Sequence, residues 1–162
     1  MKKVAAAVIH PWHCDAMGHL NTRFYVGIFD DANYVLIMNL AGRARELGGN
    51  LGWVDVRNEV DFLAETKAGS VVHVFAAIRR IGTKSLTIAA EMRPADSDSP
   101  CARMVAVIAR FDLSARRAVH LSASMLAAAR EWLEPGNPLL GETAGQAEPS
   151  SSAVVGGPKL AV

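Results

Sequence analysis

The sequence predicts an α+β domain in which an antiparallel sheet curls around one long central helix. Three observations lead to this fold class. Apolar residues step by three and four from Thr22 to Leu47, which is the spacing of a helix. The period then changes to two in short runs separated by glycine-containing turns, which is typical of antiparallel strands. A sheet built from hairpins has no reason to carry helices on both faces, so the long helix covers one face.

The shorter elements follow from local signals. An apolar run from Val4 to His10 forms a first strand that ends at Pro11. Ser122 can cap a last short helix that includes Met125 and Trp132. Four further strands are predicted after the long helix, over residues 54–64, 70–81, 84–92 and 101–113.

The long helix is predicted to end at Gly48-Gly49. Val26, Ile37 and Met38 lie outside its main apolar stripe, so the helix is apolar on most of its circumference and should be largely buried. One curled sheet cannot cover such a helix on every side. We therefore expect a second copy of the chain to cover the rest, in a homodimer or homotetramer.

Composition and charge exclude several classes of protein. Hydrophobic residues make up 51% of the 162 residues, which is enough for a packed core. A net charge of +1 gives no electrostatic reason to expect a nucleic acid or an anionic membrane as partner. No apolar run is long enough to span a membrane, and the first is too short for a signal peptide. Since Cys14 and Cys101 make no disulfide framework, we expect a cytoplasmic protein.

The composition changes after Trp132, where Gly, Ser, Ala and Pro become frequent. Such a segment cannot bury a core of its own. We therefore predict one folded domain over residues 1–133 and a disordered tail over residues 134–162.

The densest polar segment runs from His10 to Tyr25 and leads directly into the long helix. It contains the string Asp15-x-x-Gly18-His19-x-Asn21-x-x-x-Tyr25. A helix that begins near Asn21 presents free N–H groups, and these, with the positive end of the helix dipole, can hold a developing oxyanion. The N–H groups are those of Thr22, Arg23 and Phe24. If Gly18 makes a turn, Asp15 reaches this helix end, where a carboxylate can activate water or attack a carbonyl carbon.

This string, followed by a long apolar helix, resembles the acyl-CoA thioesterases of the hotdog fold, in the 4-hydroxybenzoyl-CoA thioesterase group. A second signature of that group, a glycine turn before a serine-containing strand, is matched by the segment from Arg80 to Leu86. The resemblance covers about residues 4 to 113. It implies a hotdog fold and the hydrolysis of an acyl-CoA thioester without a cofactor. It also implies that Asp15 is the general base or the nucleophile.

The resemblance assigns two groups of site residues. The catalytic group is Asp15, His19, Asn21, Thr22 and Arg23. The substrate-binding group is Tyr25, Arg79, Arg80, Lys84 and Ser85, of which the last four lie at the turn expected nearest to the nucleotide and pantetheine. Further cations beside the strands that could meet CoA phosphates are Arg103 and Arg110.

Several of these residues have structural alternatives that the sequence leaves open. Asp15 fits an Asx turn, Asn21 fits a helix N-cap, and His19 fits a packed imidazole that holds the turn. Asp30 and Asp31 are either a second catalytic acid or a solvated or dimer-facing patch. The loop residues that could bind zinc match no standard zinc spacing, so we predict no metal; they are His10, His13, Cys14, Asp15 and His19.

Two other functions fit the same fold class. One is a hydratase or dehydratase that acts on acyl thioesters, and the other is a non-catalytic module that binds acyl-CoA. Asp15 separates the enzyme from the binding module, because a pure binder has no use for a carboxylate beside an oxyanion site. The acyl group stays open, since several large side chains could close the pocket: Phe24, Phe29, Trp53 and Phe62.

Overall fold

A computed structural model describes residues 1–46 and 49–134 of the chain. The elements, in order, are β1 (Lys2–Val8), a 3₁₀ turn (Pro11–His13), α1 (Thr22–Ala44), β2 (Leu51–Phe62), β3 (Val71–Ile81), β4 (Ser85–Pro94), β5 (Ala102–Asp112), β6 (Arg117–Ala118) and α2 (Ala123–Arg130). The predicted tail lies outside the described residues except for Glu134. The N–H of Glu134 donates to the carbonyl of Ile78 at 3.0 Å, so this residue belongs to the folded domain.

The five long strands form one antiparallel sheet in the order β1-β3-β4-β5-β2. α1 packs on one face of the sheet, with Phe29, Leu36 and Leu40 completely buried against inward-facing residues of β3 and β4. The predicted α+β class and hotdog architecture are confirmed. The two-residue strand β6, which pairs with β5, was not predicted because so short a run carries no periodicity.

Both ends of α1 are set by specific hydrogen bonds. Asn21 caps the start, because its Oδ1 atom accepts the N–H of Arg23 at 3.1 Å. The helix ends at Ala44, earlier than predicted, and Arg45 follows in the left-handed conformation with a φ of 57°. The side chain of Glu46 then pairs with Arg110 at 3.1 Å. This tertiary contact lies next to the early end of the helix. The helix was predicted to stop at Gly48-Gly49, and Gly48 lies outside the described residues.

In a single chain, α1 is buried only on the side that faces the sheet. Tyr34 is 62% exposed on its other side, and Val26, Val35 and Met38 are each more than one third exposed. We call these four residues the exposed apolar row. The predicted burial of the whole helix is therefore not achieved by one chain.

The strand ends define two rims of the sheet, and the two rims carry different candidate site residues. One rim holds the ends of β2 and β5 at Phe62 and Ala102. The loop that precedes α1 reaches this rim, because His19 forms a β-bridge with Lys67. The other rim holds the β3–β4 turn. The 11 residues of β3 join the two rims, and at about 3.3 Å per residue they separate the rims by roughly 30 Å.

Candidate active site

The loop before α1 is a small hairpin closed by a β-bridge between Cys14 and Leu20. The N–H of Asp15 donates to the carbonyl of His19 at 2.9 Å, and the N–H of Gly18 donates to the carbonyl of Asp15 at 3.0 Å. Gly18 has a φ of 81°, a conformation that favours glycine. Asp at the first position and Gly at the fourth are the preferred residues of such a turn. The sequence therefore specifies the turn that brings Asp15 and His19 together.

The side chain of Asp15 takes part in this turn. Its Oδ1 atom accepts the N–H groups of Met17 at 2.8 Å and His19 at 3.2 Å, which makes an Asx turn. Asp15 therefore forms the Asx turn that the sequence left open as its structural role. Within residues 1–46 and 49–134, the Oδ2 atom has no hydrogen-bond partner, so the turn uses only one of the two carboxylate oxygens.

Asp15 lines a cleft of about 340 Å³ at the start of α1. His19 lines it from the same loop, Thr22 and Tyr25 line it from the first turn of α1, and residues 62–65 form the opposite wall. Four of the predicted site residues therefore meet in one cavity. Of the side chains considered as closing the acyl pocket, Phe62 alone is among the residues that line this cleft.

The backbone N–H groups at the start of α1 are not equally available. The N–H of Arg23 donates to Asn21 Oδ1, and that of Phe24 donates to the Asn21 carbonyl at 2.9 Å. The N–H of Thr22 has no acceptor among the residues that the structure describes. Of the three N–H groups that the sequence nominated for an oxyanion, only that of Thr22 is unengaged, because Asn21 acts as a cap and occupies the other two. Arg23 is exposed, and its guanidinium lies over the Phe24 ring at 4.6 Å.

Tyr25 joins the helix start to the opposite wall of the cleft. Its hydroxyl lies 3.0 Å from Thr66 Oγ1 and 3.3 Å from the carbonyl oxygen of Ala64. Its ring packs edge-on against Phe62. Burial raises the pKa of Tyr25, and its hydrogen bond to Thr66 offsets part of that rise. Tyr25 is thus a buried, neutral part of the wall rather than a group that ionises near neutral pH.

A residue that sequence analysis missed lies in the same cleft. Glu65 Oε2 is 3.1 Å from His19 Nε2. Glu65 belongs to the segment after β2, far from the loop motif in sequence, and no spacing rule connects the two positions. The contact arises because Leu20 donates its N–H to the carbonyl of Thr66 at 2.7 Å, which lays this segment beside the loop.

The turn predicted to bind CoA lies on the other rim of the sheet. Arg79 and Arg80 are exposed near the end of β3, Lys84 is exposed in the turn, and Ser85 begins β4. The turn is tight: a Cβ on Gly82 would lie 2.9 Å from Ser85 Oγ. Arg79 also pairs with Glu134 at 3.6 Å. One chain therefore does not bring this turn to the Asp15 cleft.

Two other cations considered for CoA phosphates are held by carboxylates. Arg110 is only 3% exposed, because its guanidinium packs over the Trp53 ring and pairs with Glu46. The guanidinium of Arg110 is therefore already engaged within one chain. Arg103 pairs with Glu91 at 2.9 Å on the sheet face.

Asp30 and Asp31 line a different cleft, of about 550 Å³, between α1 and β2. Asp55 lies on its β2 side. Burial, followed by repulsion from Asp55 and Asp31, raises the pKa of Asp30. In one chain, these two carboxylates do not share a cavity with Asp15.

The described ranges contain no group of three or more His, Cys, Asp or Glu side chains arranged to hold a metal ion. The imidazole of His10 instead stacks on Trp12, with the ring centroids 4.3 Å apart. In the same ranges, no helix is both long and apolar enough to cross a lipid bilayer.

Comparison with known proteins places this chain in a family. A model of the thioesterase-like superfamily matches residues 9–129. A predicted thioesterase from Bacillus stearothermophilus is 25% identical, with a TM-score of 0.70 over 82% of this chain and 97% of that one. A search of curated protein sequences found no match.

Two more distant structures share the fold. A 1,4-dihydroxy-2-naphthoyl-CoA thioesterase from Synechocystis is 15% identical, with a TM-score of 0.67 over 78% of this chain and 94% of that chain. A Staphylococcus aureus protein solved in complex with CoA is 16% identical, with a TM-score of 0.69 over 82% of this chain and 85% of that chain.

The chain belongs to the thioesterase-like superfamily, because the family model covers most of the domain and both motif-bearing segments. We therefore class it as a thioester hydrolase.

Proposed function

We propose that this protein hydrolyses an acyl-CoA thioester to the free carboxylic acid and CoA, with Asp15 as the reacting carboxylate. One observation carries the proposal. Asp15, which is half-buried, and Thr22, whose N–H has no acceptor among the described residues, line the same cleft. A base or nucleophile and an oxyanion donor are the two groups that thioester hydrolysis requires of a protein.

The thioester carbonyl lies with its oxygen toward the N–H of Thr22, where the helix dipole stabilises the negative charge of the tetrahedral intermediate. Asp15 then takes a proton from the attacking water, or its carboxylate attacks the carbonyl carbon and water hydrolyses the resulting mixed anhydride. Either route expels the CoA thiolate, which takes up a proton. His19 lies beside this carbonyl and, when its imidazole is charged, donates a hydrogen bond to it, and Tyr25 borders the acyl group.

We propose that CoA is recognised by the turn that the family resemblance points to, which contains Arg79, Arg80, Lys84 and Ser85. In one chain this turn lies roughly 30 Å from the Asp15 rim. An antiparallel pairing of two β2 edges about a two-fold axis reverses one copy relative to the other, so the partner's turn comes to the same side as Asp15. A homodimer therefore allows CoA to bind across two copies. A CoA-bound structural relative supports CoA as the carrier.

The surface of one chain supports such a dimer. β2 is an edge strand, and Val56 and Phe62 on it are 63% and 51% exposed. The exposed apolar row of α1 adds Tyr34 at 62%. Apolar surfaces of this kind are normally covered by a partner. Light scattering should give at least a dimer at micromolar concentration, and Val35→Glu should weaken it; a stable, active monomer would remove this part of the proposal.

We assign the activity to the cytoplasm, where reduced Cys14 and Cys101 are expected. The direct test is to measure free thiol release from short, long, branched and aromatic acyl-CoAs. Hydrolysis of at least one with turnover supports the proposal. A protein that binds an acyl-CoA tightly without releasing thiol is the acyl-CoA-binding module instead. Addition of water to an enoyl-CoA, without thiol release, would identify the hydratase.

A further inference from the structure

Glu65 and His19 form a pair inside the Asp15 cleft. Glu65 Oε2 lies 3.1 Å from His19 Nε2. The imidazole is mostly enclosed, with 23% of the side chain exposed, whereas the Glu65 side chain is 69% exposed. Both residues line the cleft together with Asp15. A carboxylate at this distance accepts a hydrogen bond from Nε2–H. Because a neutral imidazole carries only one N–H, the other ring nitrogen, Nδ1, is then unprotonated.

We propose that Glu65 is a positioning residue that fixes the orientation and tautomer of His19, and this inference rests on the proposed function of the cleft. With Nε2–H held by Glu65, Nδ1 is the ring nitrogen left for substrate. In the charged imidazole, Nδ1–H donates to the thioester carbonyl oxygen or to the departing sulfur. In the neutral imidazole, Nδ1 is an acceptor for water.

Backbone hydrogen bonds to Asp15 hold the main chain of His19 in place. The N–H of His19 donates to Asp15 Oδ1, and the carbonyl of His19 accepts the N–H of Asp15. The main chain of His19 is thus fixed on the Asp15 turn, and rotation of the side chain is the freedom that remains. Glu65 removes that freedom. The other ionisable groups around the pair are Asp15 on the loop, Tyr25 on α1, and Lys67, whose backbone bridges to His19.

A purely structural role for this contact predicts something different. An ion pair as exposed as this one contributes little to stability. If it only fastened the segment after β2 to the loop, its loss would leave both the tautomer of the imidazole and the turnover unchanged. If it orients His19, its loss changes the ring tautomer and turnover while the melting temperature stays near the parental value.

The test compares Glu65→Ala and Glu65→Gln with Glu131→Gln, a matched control in which the carboxylate pairs with Arg43 away from the Asp15 cleft and from β2. We expect Glu65→Ala to lower kcat by about tenfold, by analogy with the lower end of the loss when a metal-bound histidine loses its orienting partner. KM should change little, and the pH profile of kcat should change shape. Glu65→Gln keeps an acceptor for Nε2–H and should recover part of the loss. Glu131→Gln should behave as the parent.

Two further measurements test the inference, and the first of them does not depend on activity. In ¹⁵N NMR of the imidazole, the parent should hold the neutral-ring proton on Nε2, and Glu65→Ala should show a mixture of tautomers. In a His19→Gln background, Glu65→Ala should lower kcat no further, because Glu65 acts through His19.

The outcomes separate the two proposals. An unchanged tautomer in Glu65→Ala overturns the positioning role. An additional loss in the double variant also overturns it, because Glu65 would then act on substrate directly. If Asp15→Asn leaves hydrolysis intact while the tautomer changes as expected, the proposed mechanism fails but the positioning of His19 by Glu65 stands.

Discussion

The carboxylate of Asp15 accepts a hydrogen bond from the backbone N–H of Met17 at 2.8 Å. The same Oδ1 atom accepts the N–H of His19, so one carboxylate oxygen shapes the turn while the other has no partner among the described residues. Asp15 therefore has a structural function and, in our proposal, a chemical one. Different substitutions separate the two functions.

Asp15→Asn should keep the turn, because an asparagine Oδ1 accepts the same N–H groups. Asp15→Ala removes that acceptor and should lower the free energy of unfolding by about 1 kcal/mol. Urea unfolding of the two variants beside the parent measures the difference. Equal stability of Asp15→Ala and the parent would mean that the Asx turn contributes nothing to folding.

Asn21→Ala should destabilise the protein by about 1 kcal/mol, because the N–H of Arg23 loses its cap. Asn21→Ser keeps a capping oxygen and should retain most of the stability. Comparison of Asn21→Ala with Asn21→Ser also distinguishes the two functions that the sequence left open for Asn21, a helix cap and a substrate contact. If Asn21 is only a cap, Asn21→Ser hydrolyses thioester near the parental rate; a large loss of kcat in this stable variant would show that Asn21 contacts substrate.

Tyr25→Phe removes the hydroxyl that lies 3.0 Å from Thr66 Oγ1. Thr66 is only 2% exposed, so its hydroxyl would lose a buried partner. We expect a loss of about 1–3 kcal/mol in the free energy of unfolding. The double variant Tyr25→Phe/Thr66→Val is the control, because without the Thr66 hydroxyl no buried partner is left unpaired, so the two losses should not add. Additive losses would contradict the role assigned to the Tyr25 hydroxyl.

Glu91 links stability to acid pH. Burial alone would raise its pKa, but hydrogen bonds and charges from Arg93 and Arg103 outweigh burial and hold the pKa of Glu91 below its ordinary value. A carboxylate with a lowered folded-state pKa stabilises the protein above the unfolded pKa of about 4.3. That contribution is lost as the pH falls through the folded-state value.

Glu91→Gln should therefore lower the melting temperature at pH 7 and bring it closer to the parental value as the pH drops below about 4. Thermal unfolding across pH 3 to pH 7, relative to Glu131→Gln at the exposed pair with Arg43, measures the effect. A Glu91→Gln deficit that grows toward low pH would have the wrong sign for this account.

Local patterns predicted most of the fold because each pattern has a local physical cause. The change of period from helical to alternating spacing located α1 and the strands. Ser122 was predicted as a cap and a cap was one of two roles left open for Asn21; in the structure, they accept the N–H groups of Met125 and Arg23. The end of α1 was missed because the chain turns at Arg45, whose left-handed conformation no local pattern indicates for an arginine.

The sequence predicted the part of the candidate site that lies in one continuous segment of the chain. Asp15, His19, Thr22 and Tyr25 lie within one loop and one helix turn, so their spacing brings them together. Glu65 was missed because only the packing of the segment after β2 places it beside His19. The burial of Arg110 with Glu46 was not predicted, because a cation's sequence position does not reveal that it will be buried with a carboxylate. The distance between the Arg79–Ser85 turn and the cleft depends on strand direction, which no motif contains.

The most direct test of the account is the steady-state hydrolysis of the best acyl-CoA substrate by Asp15→Asn. This variant keeps the Asx turn and the size of the side chain but lacks a basic carboxylate. We predict a loss of kcat of roughly 10²- to 10⁴-fold, with a much smaller change in KM and a parental melting temperature. Hydrolysis at a near-parental rate by this folded variant would contradict the assignment of Asp15 as the reacting carboxylate.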